Sequence, residues 1–164
     1  MRWLTGHIDE LDLHVATAAA ADPDARRLLT HPGVGPLTAL ATVLVLGPVA
    51  RFPGSTQVVS YIGLAPAVNA SADKYRLGPI TKQGCTLLRW VLGQAAPLAT
   101  RGDAGLKRIL AVLRRCGRPK AKVALARRLL IRLYVMLRDH IDYDEFCRRG
   151  QARRGGLELA RTPV

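Results

Sequence analysis

The apolar positions of this chain recur mostly at helical spacing. From Ile8 they step to Leu11, Val15 and Ala18, a thin stripe with acids opposite that is too narrow to bury a core alone. This predicts an N-terminal helical arm over residues 1–27, either the end of a longer helix or a surface for another chain. Asp22 before Pro23 is a cap and first-turn signal for a short helix through Leu28 and Leu29. Ser55 is the expected N-cap of "TQVVSYIG", with Gly63 as its stop. Helices are predicted again in "CTLLRWVLGQAAPLA", in "DAGLKRILAVLRRCG", capped by Asp103 and stopped at Gly117, and in "PKAKVALARRLLIRLYVMLRD". On the last, Leu129, Leu130, Leu133 and Met136 fall on an inner face, and Arg127, Arg128, Arg132 and Arg138 on a polar one. "LAPAVNA" and "YRLGPI" carry enough β-branched and aromatic residues around a polar turn for a small hairpin. The expected fold is mainly α, with a helical domain over 28–139 and a disordered polar, basic tail over 140–164.

One pattern carries two readings. "LTHPGVGPLTALATVLVLG", Leu29 to Gly47, places two glycines one residue apart before Pro36 and an apolar helix, the signature of a helix-hairpin-helix. In that unit Gly33, Val34 and Gly35 would offer backbone N–H groups to a DNA phosphate at a helix N-terminus. The same residues also suit an ordinary turn between helices.

Charge changes the picture more than composition does. A hydrophobic fraction of 49% excludes a disordered chain. Net charge is +13, unevenly placed: residues 1–73 carry four cations against six acids, and residues 74–164 the other 21 against six. Such asymmetry points to a polyanion, most simply nucleic acid. The candidate DNA contacts are Gly33, Val34, Gly35, Lys74, Arg89, Lys120, Lys122, Arg127 and Arg128. A membrane partner is not expected, since the uncharged stretch Pro32–Ala50 is broken by glycines and prolines. No secretory pattern opens the chain, so a cytoplasmic, nucleoid-associated location in a prokaryote is expected. Cys85, Cys116 and Cys147 lie too far apart for a zinc site or a disulfide framework. Asp139, Asp142, Asp144 and Glu145 form a tempting acidic cluster, but acids after a basic helix are more often solvent-facing, and no metal site is assigned.

Taken in order, "HPGVGPLTAL", "RFPGSTQVVSYIGLAP", "SADKYRLGPITKQG", "LLRWVLGQAA" and "KVALARRLLIRLYVMLRD" resemble the C-terminal transposase domain of the insertion-sequence one-ten family, the DEDD-type, bridge-RNA-guided recombinases. The resemblance covers roughly Leu28 to Asp139. It implies DNA transposition, with a RuvC-like nuclease domain and a coiled-coil linker ahead of this domain. It also implies a serine that attacks the DNA backbone and becomes covalently joined to it. Alignment places that serine at Ser71.

A serine hydroxyl needs activation, and the phosphodiester it attacks gains negative charge that fixed cations stabilise. Arg76 and Lys82 are the candidate catalytic cations, with Lys74 beside them. The chain itself is expected to hold no cofactor, Mg2+ being expected only with the RuvC-like domain. Expected partners are DNA, a guide RNA, and either a second copy or a RuvC-like domain engaged through the N-terminal arm. Ala72 and Asp73 stand where the family has glycine after the serine, and Pro79 where a basic residue often precedes "ITK". The alternative implied by these departures is a non-catalytic DNA- or RNA-binding remnant of a truncated transposase.

Overall fold

The structure is a computed structural model that describes residues 2–71, 74–113, 115 and 117–159. Ala72, Asp73 and Cys116 therefore lie outside the described residues. Among the described residues the elements run α1 (Arg2–Ala21), α2 (Pro23–Leu29), α3 (Pro36–Leu46), a 3-10 turn (Val49–Arg51), α4 (Ser55–Ile62), β1 (Pro66–Ser71), β2 (Lys74–Ile80), α5 (Thr86–Gly102), α6 (Ala104–Leu113), α7 (Arg118–Arg138) and α8 (Tyr143–Leu159). The mainly helical class follows, with β1 and β2 pairing as a two-stranded antiparallel hairpin. No helix among these residues is long and apolar enough to cross a membrane.

Helix α7 is the spine of the core. Its apolar positions Leu125, Leu129, Leu130, Leu133 and Met136 recur at three- and four-residue steps and are fully buried, so they share one face. That face packs chiefly on α5, which supplies Leu88, Leu92, Ala96 and Ala99. On its other flank, α4 contributes Val58, Val59 and Ile62. Burying such a leucine is worth roughly 2 kcal/mol relative to exposure. Tyr134 is buried too, and its hydroxyl donates to Phe52 O at 3.0 Å, so the polar tip is satisfied.

The caps follow the sequence at most positions. Asp22 accepts from the backbone N–H groups of Asp24 and Ala25, and Pro23 and Pro36 begin their helices. Gly63 closes α4 in a left-handed conformation. Two readings differ. The cap residue of α4 is Gly54, with Ser55 already helical. Helix α6 is described to Leu113, and Gly117, outside it, is the N-cap of α7. The expected disordered tail is a helix over Tyr143–Leu159, because Glu145 bonds Arg149 one turn on at 2.8 Å and Tyr143 and Phe146 pack on the core. Arg132, assigned to a polar face, instead ion-pairs with the buried carboxylate of Asp103.

Asp103, the C-cap of α5, ties that helix to three others. Its Oδ1 accepts from Leu106 N at 2.8 Å, capping α6, while Oδ2 accepts from the Tyr143 hydroxyl of α8 at 2.9 Å and pairs with Arg132 of α7. His31, in the turn after α2, lies edge-on to Tyr143 with ring centroids 4.6 Å apart. Its Nδ1 donates to Pro32 O at 2.9 Å, leaving Nε2 buried without a hydrogen-bond partner. Burial, reinforced by the nearby Arg132 charge, pulls the His31 pKa down to about 4. The Tyr143 hydroxyl is pushed up to about 12, chiefly by burial.

The depressed His31 pKa sets an acid limit on stability. Above pH 6.5 the ring is neutral whether folded or unfolded, so it contributes no pH dependence there. Between 6.5 and about 4 the unfolded chain takes up a proton that the folded chain excludes, which removes about 3 kcal/mol of stability by pH 4. Urea unfolding at pH 7 and pH 4.5 should show this loss. His31→Gln, though less stable at pH 7, should show a flatter decline with acid, and parallel declines would disprove the assignment.

Candidate nucleic-acid interface

The hairpin leaves the helical body where the chain crosses itself. Gly63 and Gly84 meet at its two ends so closely that a Cβ on Gly63 would lie 1.8 Å from Gln83 O, and one on Gly84 2.0 Å from Tyr61 O. Both glycines have positive φ, so no other residue fits either the space or the backbone. Arg89, one turn into α5, fastens the crossing. Its Nη1 donates to Ile62 O, Gln83 O and Gly84 O at 3.0–3.1 Å, and its Nη2 to Thr86 Oγ1 at 3.0 Å.

From this joint the register runs Pro66↔Ile80 at the root, through Val68↔Leu77, Asn69↔Arg76 and Ala70↔Tyr75, to Ser71↔Lys74 at the far end. Alternation along strands therefore puts backbone positions 69, 71, 74 and 76 on one face of the ribbon. Of the four residues expected to act together, Ser71, Lys74 and Arg76 share the outer half of the hairpin. Lys82 does not join them, because it lies beyond the root, and the root is itself roughly 17 Å from Ser71 by the rise of five strand steps.

Lys82 belongs to a different feature. Beneath the hairpin root, two adjoining clefts of ≈ 300 and ≈ 650 Å³ share Leu64, Ile80 and Val123 as their floor. Lys82 and Lys122 border the first, with Trp90, while Lys120 and Arg127 border the second. Neither cleft has a carboxylate in its lining among the described residues. Lys82 is held at φ +56°, an uncommon conformation for a residue with a side chain. Lys82, Lys120, Lys122, Arg127 and the exposed Arg128 form no ion pair among the described residues, whereas Arg27, Arg132, Arg138 and Arg149 do.

The glycine turn is packed at one end and open at the other, where nothing lies within 4 Å of a Cβ built on Gly35. Gly33 has φ +80°, and a Cβ there would sit 2.3 Å from Ala99 N, so the turn is pressed against α5. Val34 is buried and its N–H donates to His31 O at 3.1 Å. Gly35 is the N-cap of α3. Packing thus accounts for Gly33 and Val34 without a ligand, and Arg89 is likewise committed to backbone carbonyls. Two of the four candidate tail acids are engaged: Asp139 pairs with Arg138 at 2.7 Å, and Glu145 with Arg148 and Arg149. Among the described residues no three His, Cys, Asp or Glu side chains gather as a metal site.

Comparison with known proteins decides the lineage. The model of the transposase IS116/IS110/IS902 family matches residues 25–111. The chain belongs to this family. Across 124 residues, 73% of the chain, it is 33% identical to the transposase for insertion sequence element IS1111A of Coxiella burnetii, of which this covers 34%. It is 30% identical over 131 residues to a probable family 20 transposase of Pseudomonas aeruginosa, covering 77% of the chain and 38% of that protein. A transposase for insertion sequence element IS1328 of Yersinia enterocolitica is 33% identical over 94 residues, covering 57% and 28%. The chain therefore spans about a third of the length of the curated relatives it matches first. The family match includes the crossing, the hairpin and nearly all of α6.

The role of Arg89 is separable from that of the unpaired cations. Arg89→Ala should lower unfolding stability by about 2 kcal/mol, because three carbonyls lose a charged donor. Arg128→Ala should stay within about 0.5 kcal/mol of the parent in the same urea titration. Equal effects would remove the distinction.

Proposed function

We propose that the chain is the DNA-engaging, serine-bearing part of a transposase, and that Ser71 is its nucleophile. The observation that carries this reading is the hairpin register, which sets Ser71 across from Lys74 with Arg76 on the same face, in a chain of the transposase family. Four further cations, with no ion pair among the described residues, border the clefts at the hairpin root. Together they describe a positively charged track leading from the helical body to the serine.

The chemistry balances as a transesterification. Ser71 Oγ attacks the phosphorus of a DNA phosphodiester, forming a phosphoserine link as the bond to one sugar oxygen breaks. The serine proton leaves to a base, and the departing sugar oxygen takes up a proton and becomes a hydroxyl end. Arg76 and Lys74 stabilise the charge gathering on the non-bridging oxygens, a contribution made mainly in the transition state. Lys82, at the root, acts on substrate bound outside the reacting phosphate. A divalent metal such as Mg2+, held by a RuvC-like partner domain, would polarise the same phosphate and activate the hydroxyl. A guide RNA and pairing through α1, whose Ile8 and Leu11 are exposed, belong to the same reading.

Two measurements test it. Supplied with a RuvC-like domain, guide RNA and a cognate DNA junction, the chain should yield a protein–DNA adduct that survives denaturation. Ser71→Ala should abolish the adduct with little change in DNA affinity, and Arg76→Ala should reduce adduct more than affinity. An adduct persisting in Ser71→Ala refutes the nucleophile. Intact binding with no adduct would instead favour the non-catalytic remnant, with Ala72 and Asp73 the first positions to change to glycine.

The second measurement is salt dependence. Duplex DNA affinity should fall steeply with salt, and replacing Lys120 with Lys122, or Arg127 with Arg128, by alanine should flatten the log–log slope by about one unit per lost phosphate contact. Binding indifferent to salt would count against a phosphate-dominated interface.

A further inference from the structure

The cleft beside α5 differs from a surface built only to meet phosphates. Its floor of Leu64, Ile80 and Val123 is apolar, and Trp90 stands at its edge with 56% of its surface exposed. A phosphate track needs cations and backbone donors, and gains nothing from an apolar floor with an open indole. A duplex keeps its base faces stacked inside and shows a groove of this size only its charged backbone. A single strand offers both parts at once, with π-faces for the aromatic ring and phosphates for the cations.

The rest of the lining agrees. Lys82 and Lys122 border the cleft from opposite elements, the hairpin root and α7, and no acid among the described residues opposes them. Thr86 and Gln94 add uncharged polar groups able to meet a base edge. Lys82 holds its place in a left-handed backbone conformation, with its N–H donating to Gly63 O at 3.1 Å. Strain of this kind collects at ligand-binding positions. A membrane surface or an acidic peptide would also meet the cations, but neither calls for a lone aromatic platform of this shape.

We propose that this cleft binds an unpaired nucleotide of a single-stranded nucleic acid, with Trp90 stacked on its base and Lys82 and Lys122 on the flanking phosphates. The proposal deepens the nucleic-acid reading above and rests on it. It gives the hairpin root a role separate from the reaction at Ser71, namely holding a strand already opened.

Intrinsic fluorescence tests it directly, because the chain has two tryptophans and Trp3→Phe leaves Trp90 as the sole reporter. Oligothymidine of about twelve nucleotides should quench Trp90 emission, whereas heparin, a polyanion without bases, should not. Trp90→Ala should weaken oligothymidine binding about tenfold, leave blunt duplex affinity within about twofold, and be partly rescued by Trp90→Phe. Lys82→Gly suits the left-handed backbone, so it should keep the fold while weakening oligothymidine and flattening its salt slope. Unchanged oligothymidine affinity in Trp90→Ala, or equal quenching by heparin, overturns the proposal. If salt-dependent duplex binding survives that result, only the cleft assignment falls, whereas binding of neither probe removes both readings. Concentration-dependent shielding of Trp90 from acrylamide without any nucleic acid would overturn it in favour of a second copy of the chain.

Discussion

The crossing of the chain at Gly63 and Gly84 is the constraint on which the site depends. Two backbone segments pass there at a separation that leaves no room for a Cβ, and the carbonyls turned inward would be poorly satisfied without the Arg89 guanidinium. Because Arg89 is on α5, whose Leu88 and Leu92 are buried, the hairpin is referred to the rigid core rather than tethered by a loop. Anything the hairpin carries at its far end is aimed by that joint. The cleft depends on the same joint, since Ile80 and Lys82 leave the hairpin as it returns to the crossing.

The core bears a second constraint of a different kind. Placing Asp103 in the interior costs desolvation, offset by a guanidinium, a phenol and a helix N-terminus that converge on one carboxylate. The arrangement joins α6, α7 and α8, and sets the neutral His31 against them. Removing one partner would leave the others buried without compensation, which costs more than the pair contributes. The glycine turn fits the same logic: Gly33 lets the segment from Thr30 to Pro36 lie flat on Ala99, bringing His31 next to Tyr143.

Much of the fold was legible because it is local. Asp22, Pro23, Pro36 and Gly63 act within a turn of themselves, and the apolar spacing of α7 names its buried face without knowledge of what covers it. The hairpin was legible for the same reason, through composition and turn chemistry. What escaped reading is tertiary. Arg132 has the spacing of a surface cation, yet Asp103, 29 positions earlier, draws it inward. Arg89 looked like a phosphate ligand because sequence shows charge but not the carbonyls that already surround it. The tail looked disordered from its charge, while the bonds that order its first turns reach Thr30 and Asp103 far upstream. Trp90 could have been noticed, since an aromatic at position 90 falls beside Arg89, off the buried stripe of Leu88, Val91 and Leu92.

Separating binding from chemistry along the hairpin has a geometric consequence. The root and Ser71 are roughly 17 Å apart, which at 3.4 Å per step is about five nucleotides of a stacked strand. A strand held at the root and cut at the tip would therefore be measured from its anchor. Its reacting phosphate would be selected by distance as much as by contact. If the reaction occurs at Ser71, a cation at the root could not reach its transition state, and Lys82 would influence it only by fixing where the strand begins. Lys74 and Arg76, at the Ser71 end of the register, would have the opposite limitation under the same reading, lying too far from the body to hold the strand alone. On the proposed reading, an antiparallel ribbon fastened at one end would divide the work: substrate affinity would reside in the body, and the reactive position in the register of a few strand pairs.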